Sequence, residues 1–166
     1  MTMEEMNEEQ LNETYKKFNE RKDKLFKENV KVQGFSEYKL IEKSICEFYK
    51  PDKILENEKS VIFFESSSTG DRKVHIGELI QFLTYVSLGI EKRDMYFVLF
   101  LCGEAKSSPK VHEEVKRLNY YYQNFSMKNS ERAKIKGLYV ANQEDEDIAN
   151  LTLEKIKKFR RIDEGI

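Results

Sequence analysis

Apolar residues near the start of the chain return at helical intervals. Leu11, Tyr15, Phe18 and Leu25 stand at steps of four, three and seven, and neither Gly nor Pro occurs from 4 to 29. This spacing predicts an amphipathic helix. Glu4, Glu5, Glu8 and Glu9 cluster at its start, where the helix dipole favours negative charge. So thin a stripe packs the helix onto a core or pairs it with a second helix between subunits. Gly34 breaks the pattern. Ser36 then reads as an N-cap, Phe35 and Leu40 as a hydrophobic staple, and Leu40, Ile41, Ile45 and Phe48 as the face of a second helix running to about Tyr49.

Pro51 ends that helix, because its ring disfavours a helical residue before it. Residues 53 to 55 and 60 to 64 are short apolar stretches separated by the polar 56 to 59, the pattern of a β-hairpin. A polar loop follows over 66 to 71. Ile76, Leu79, Ile80, Leu83 and Val86 then mark a helix ending near Gly89. The run from 95 to 102 lacks alternation and is rich in Tyr, Phe, Val and Leu, which suits a central strand buried on both faces beside the one bearing Glu65. Val111, Val115, Leu118, Tyr122 and Phe125 predict a further amphipathic helix, 138 to 141 another strand, and 145 to 159 a last helix carrying Ile148, Leu151, Leu153 and Ile156. The order implies one α/β domain with a mixed central sheet flanked by helices, hairpin strands first and crossover strands after. Within it, 1–32 form the long N-terminal helix and 33–166 the α/β body.

Length and charge narrow the function. At 166 residues the chain suits one domain with a sizeable core. Charged residues make up 36%, yet 29 Lys and Arg nearly cancel 30 Asp and Glu, so any contact with nucleic acid must use a local patch. The longest apolar run is far below a membrane span and the first five residues are acidic where a secretory signal would be basic, so the expected setting is cytoplasmic. Cys46 and Cys102 read as buried and reduced, and with His75 and His112 they make no zinc-ligand spacing.

The candidate chemistry lies between 49 and 85. Asp52 follows Pro51 at the mouth of the first hairpin strand, twelve residues intervene, and Glu65 then ends the apolar run Val61-Ile62-Phe63-Phe64. Adjacent strands offer both carboxylates to one spot, an oxygen-rich site suited to Mg²⁺ or Mn²⁺. On the next helix Glu78, Gln81 and Tyr85 are spaced by three and four and form a polar stripe beside the apolar one.

The order Pro-Asp, strand, Glu-x-Ser, then a helix with Gln-x-x-x-Tyr resembles the PD-(D/E)XK nuclease family over about residues 36 to 102. The resemblance implies a restriction endonuclease-like fold and a divalent-metal-dependent endonuclease cutting DNA in restriction, repair or phage defence. It implies Asp52, Glu65 and the Ser66 carbonyl as metal ligands, and Gln81 facing the active site. The family lysine that orients and helps activate the water would stand at Ser67. A hydroxyl there can hydrogen-bond water but brings no positive charge. Lys73, with Arg72, lies in the loop leading to the next helix and is the candidate replacement, its other role being loop solvation. The alternative keeps the fold without the chemistry: a degenerate nuclease acting as a DNA-binding or assembly subunit, with a homodimer or a partner protein on the N-terminal helix.

Two further stretches carry weaker signals. The run 65 to 70 could hold phosphate on hydroxyls and backbone N–H groups but lacks the Gly-Lys-Ser/Thr signature of a P-loop. The run 118 to 122, with Lys116 and Arg117, either stacks bases or is half core and half surface.

Overall fold

The computed structural model describes residues 8–39, 49–68, 71–102 and 110–164. Along them run α1 (Glu8–Asn29), β1 (Ser36–Glu37), β2 (Lys53–Glu56), β3 (Ser60–Ser67), α2 (Arg72–Ser87), β4 (Asp94–Leu101), α3 (Val111–Asn124), α4 (Asn129–Arg132), β5 (Ile135–Asn142), 3₁₀ turns at Gln143–Asp145 and Ile148–Asn150, α5 (Leu153–Ile156) and β6 (Arg160–Arg161). The strands form one six-stranded sheet in the order β1-β2-β3-β4-β5-β6. β1, β2 and β3 pair antiparallel, β3, β4 and β5 pair parallel, and β6 returns antiparallel. A three-residue turn suffices for the antiparallel step, and the parallel steps need the crossovers through α2 and α3. The molecule is thus the expected α/β domain with a mixed sheet, hairpin strands before crossover strands.

Side chains alternate across β3 and β4 and build two cores. Val61, Phe63, Met95, Phe97, Leu99 and Leu101 face α2 and α3, meeting Leu79, Phe82, Leu83 and Leu118. Ile62, Phe64, Tyr96, Val98 and Phe100 face the other way, onto Phe26 and Val30 at the end of α1 and Leu151 and Ile156 near the C-terminus. β4 is buried along almost its whole length, as a central strand covered on both faces must be. Among the described residues no helix is long and apolar enough to cross a membrane.

Four local expectations are corrected. Ser36 is no helix cap: it pairs with Glu56 in β1, the edge strand that Glu37 also ties to β2 through an ion pair with Lys53. The rest of the second helix, 40 to 48, lies outside the described residues, and Tyr49 at its expected end is not helical. On α1 Leu25 is 47% exposed, and the neighbouring Phe26 turns inward between Phe64 and Phe100. Phe26 and Val30, four apart, form the buried edge there because adjacent helical positions differ by about 100°. The polar loop begins later than expected, since β3 runs on through Ser67 opposite Leu101. The continuous final helix is replaced by 3₁₀ turns, α5 and β6. Leu151 is held extended against the segment after α1, donating to Lys31 O and accepting from Gln33 N, and Thr152 then caps α5.

Candidate functional site

The β2–β3 register places Lys53 opposite Phe64, so the next position sets Asp52 opposite Glu65 at the sheet end where the parallel strands finish. In open α/β sheets this carboxyl end is where ligands bind. The Asp52 backbone N donates to Glu65 Oε2 at 3.3 Å, and Ser66 N donates to Asp52 Oδ2 at 2.8 Å. The two acids therefore meet at one edge. They lean to different layers, however. Glu65 shares the parity of Phe63 and faces α2, whereas Asp52 Oδ1 lies 3.0 Å from Lys27 Nζ in the last turn of α1.

Glu65 is buried, and its carboxyl is pushed up to about 9, chiefly by burial and then by the charges of Asp52 and Glu78. Hydrogen bonds from Asp52 N and the Tyr49 hydroxyl oppose the shift without cancelling it. Tyr49 is itself sealed in the core against Phe63, 6.1 Å between ring centroids, with its hydroxyl near Glu65. Its phenol is raised by the same burial and the nearby carboxylates.

An acid kept protonated chiefly by burial, and next by neighbouring acids, is one whose ionised form a cation would favour, and the donors fit a hard one. Asp52 and Glu65 supply carboxylates. In an extended strand the N–H and C=O of one residue project to the same side, so the Ser66 carbonyl also faces the Asp52 edge. Among the described residues no three His, Cys, Asp or Glu side chains converge as a cation site, at the acid pair or elsewhere, so the pair would depend on the Ser66 carbonyl and solvent for its remaining donors.

The remaining candidates separate. Ser67 is buried, and its Oγ lies 2.8 Å from His75 Nε2. Lys73 is exposed in the first turn of α2, which Asp71 caps by accepting from Lys73 N at 2.9 Å. The expected polar stripe divides. Gln81 is exposed, Glu78 faces Glu65 closely enough to raise it, and Tyr85 is buried against Phe63 at 5.5 Å. Of the phosphate-loop stretch, 69 and 70 lie outside the described residues. In the tyrosine run Leu118 and Tyr122 are buried while Tyr120 and Tyr121 are exposed, which is half core and half surface.

Two further polar clusters lie at this sheet end, and their members Glu114 and Gln143 were not singled out from the sequence. On the α2 side His75 Nδ1 stands 3.2 Å from Glu114 Oε1, and Arg117 Nη1 donates to Glu114 Oε2 at 2.6 Å. On the α1 side Ser66 Oγ lies 3.2 Å from Cys102 Sγ, and the Cys102 thiol and Ser66 hydroxyl both reach Gln143 Oε1. Cys102 is a buried thiol, as expected, and Cys46 lies outside the described residues. A rare histidine eight residues beyond Ser67, about where a helix would turn back over the strand, was the one available signal for the first set. No protein-family model matches the chain, nor does a curated protein or a solved structure.

Proposed function

We propose that this protein is a divalent-metal-dependent, PD-(D/E)XK-type endonuclease that hydrolyses DNA phosphodiesters in the cytoplasm, in restriction, repair or phage defence. The observation that carries the reading is the meeting of Asp52 and Glu65 across one strand pair, with Ser66 N clamping Asp52 at 2.8 Å and Asp52 N reaching Glu65 at 3.3 Å. A hairpin followed by crossover strands supports the restriction endonuclease-like fold. Asp52, Glu65 and the Ser66 carbonyl would hold Mg²⁺ or Mn²⁺, which supplies Lewis-acid polarisation of a phosphate and a lowered pKa for water. The chain's own part is orientation: Asp52 N and Tyr49 aim the Glu65 carboxyl, and the aromatic wall of Phe63 and Tyr85 excludes bulk water.

A second reading has its own observation. Lys27 already pairs with Asp52 at 3.0 Å, and the lysine position of the motif is a buried serine. A nuclease fold that binds DNA or assembles with a partner through α1 would look the same. The two part on one experiment. Titration calorimetry with Mn²⁺, and cleavage of duplex, single-stranded and branched DNA, should show binding and cutting by the wild type, and Glu65→Ala should lose both by orders of magnitude. Wild-type protein that neither binds Mn²⁺ nor cuts any of these DNAs overturns the enzymatic reading and leaves the assembly role.

A further inference from the structure

Three polar side chains outside the acid pair are sealed in one line across three elements. Ser67 ends β3, His75 lies in the first turns of α2, Glu114 begins α3, and all three are buried. Ser67 Oγ and His75 Nε2 are 2.8 Å apart, and His75 Nδ1 faces Glu114 Oε1 at 3.2 Å, a charge contact rather than an aligned hydrogen bond. Burial by itself would raise the Glu114 carboxyl, but its bonds to His75 and Arg117 outweigh that and hold it below the usual carboxylate range. Glu114 is therefore an anion. An anion beside Nδ1 draws the imidazole hydrogen to that atom and leaves Nε2 as a lone-pair acceptor for the Ser67 hydroxyl.

Ser67 shares the parity of Glu65 on β3, about 7 Å further along the same face at roughly 3.3 Å per residue. Its hydrogen is committed to His75. Its lone pairs are left to accept from a water at the sheet end. We propose that Ser67, His75 and Glu114 form a proton relay that serves the hydrolytic water of the Asp52–Glu65 site, in the place where the motif would carry lysine. Ser67 is the residue that touches the water; His75 and Glu114 are positioning residues. The inference rests on the nuclease reading.

The step balances. Water gives a proton to Ser67 Oγ as Ser67 gives its own to His75 Nε2, and the resulting hydroxide forms the new bond to phosphorus. The leaving oxygen departs with the bonding pair and takes a proton from solvent. The imidazolium is held against Glu114, whose charge Arg117 shares, until it returns its proton to solvent. A lysine would bring its charge permanently, whereas this relay develops one only as the water is deprotonated.

The test has one arm that needs no activity. Long-range ¹H–¹⁵N NMR of the whole wild-type chain should find His75 as the Nδ1–H tautomer. An Nε2–H tautomer, donating to Ser67, overturns the relay whether or not the protein cuts DNA. The second arm is single-turnover cleavage at saturating Mn²⁺. Ser67→Ala and His75→Gln should slow the chemical step by about 10²-fold or more, as expected for lost acid–base catalysis, with Mn²⁺ affinity unchanged by calorimetry. Ser67→Thr, which keeps the hydroxyl, should recover much of the rate. Wild-type rates in Ser67→Ala overturn the relay and spare the nuclease reading, whereas a wild type that binds no Mn²⁺ and cuts nothing overturns both.

Discussion

Glu114 keeps a negative charge without touching solvent, because Arg117 and His75 offset what burial would cost it. Its folded pKa is below the ordinary 4.5, so the unfolded chain takes up a proton at higher pH than the folded one. The resulting stability is fully present above about pH 4.5 and is lost as the pH falls through the folded value. Glu114→Gln should therefore flatten the acid limb of stability while costing about 1–3 kcal/mol at neutral pH, where a charge-assisted bond is lost. Urea unfolding of both proteins at pH 7 and pH 4 reads the difference, and parallel curves would show that the charge is not held as described. Glu65 lies at the opposite extreme. Pushed up to about 9, it is already close to an amide in charge, which makes Glu65→Gln a gentler companion to Glu65→Ala for separating ligand loss from misfolding.

Asn57 is a small residue with control over the β2–β3 element. Its Oδ1 accepts from Lys59 N at 2.9 Å and Ser60 N at 2.8 Å, closing the turn that sets Asp52 opposite Glu65. Asn57→Ala should cost about 1 kcal/mol, lowering Tm by about 2–4 °C in a chain of this size, and should weaken Mn²⁺ binding through register rather than chemistry. A calorimetric melt beside an Mn²⁺ titration checks both. This hairpin, β4, α2 and α3 were legible from periodicity because each buries a regular set of apolar residues against the sheet. β1 was not, since Ser36 and Glu37 bury nothing and are held by backbone pairing and the Glu37–Lys53 ion pair. The segment after β5 misled because Ile148, Leu151, Leu153 and Ile156 mimic a helical face, while Leu151 is held extended by residues 31 and 33, far off in the chain. The same reason divides the site. Asp52 and Glu65 could be paired from strand alternation alone, but His75 and Glu114 sit on different helices, and Lys27 reaches Asp52 from a third.

Across the whole molecule, the sheet separates two layers that both reach the acid pair. α2 presents Glu78 to Glu65 from one side, and α1 presents Lys27 to Asp52 from the other. With 29 basic against 30 acidic residues no general field attracts a metal or DNA, so local counter-ions decide what binds. Lys27 should compete with a divalent cation for Asp52. Lys27→Gln is expected to tighten Mn²⁺ severalfold in calorimetry, and unchanged or weaker binding would remove Lys27 as a competitor. The turn between β2 and β3 carries a further consequence, one of timing. Hairpins of this length close in about 1–10 μs, whereas pairing β3 with β4 must wait for a chain segment some thirty residues long to loop back through α2. Both acids ride on the hairpin, so they meet while still wet and fully charged, and Glu65 takes up its proton only later, as the aromatic layers close over it. The last stage of folding is thus coupled to proton uptake at Glu65, and a cation held by the pair at that stage would stand in for the proton.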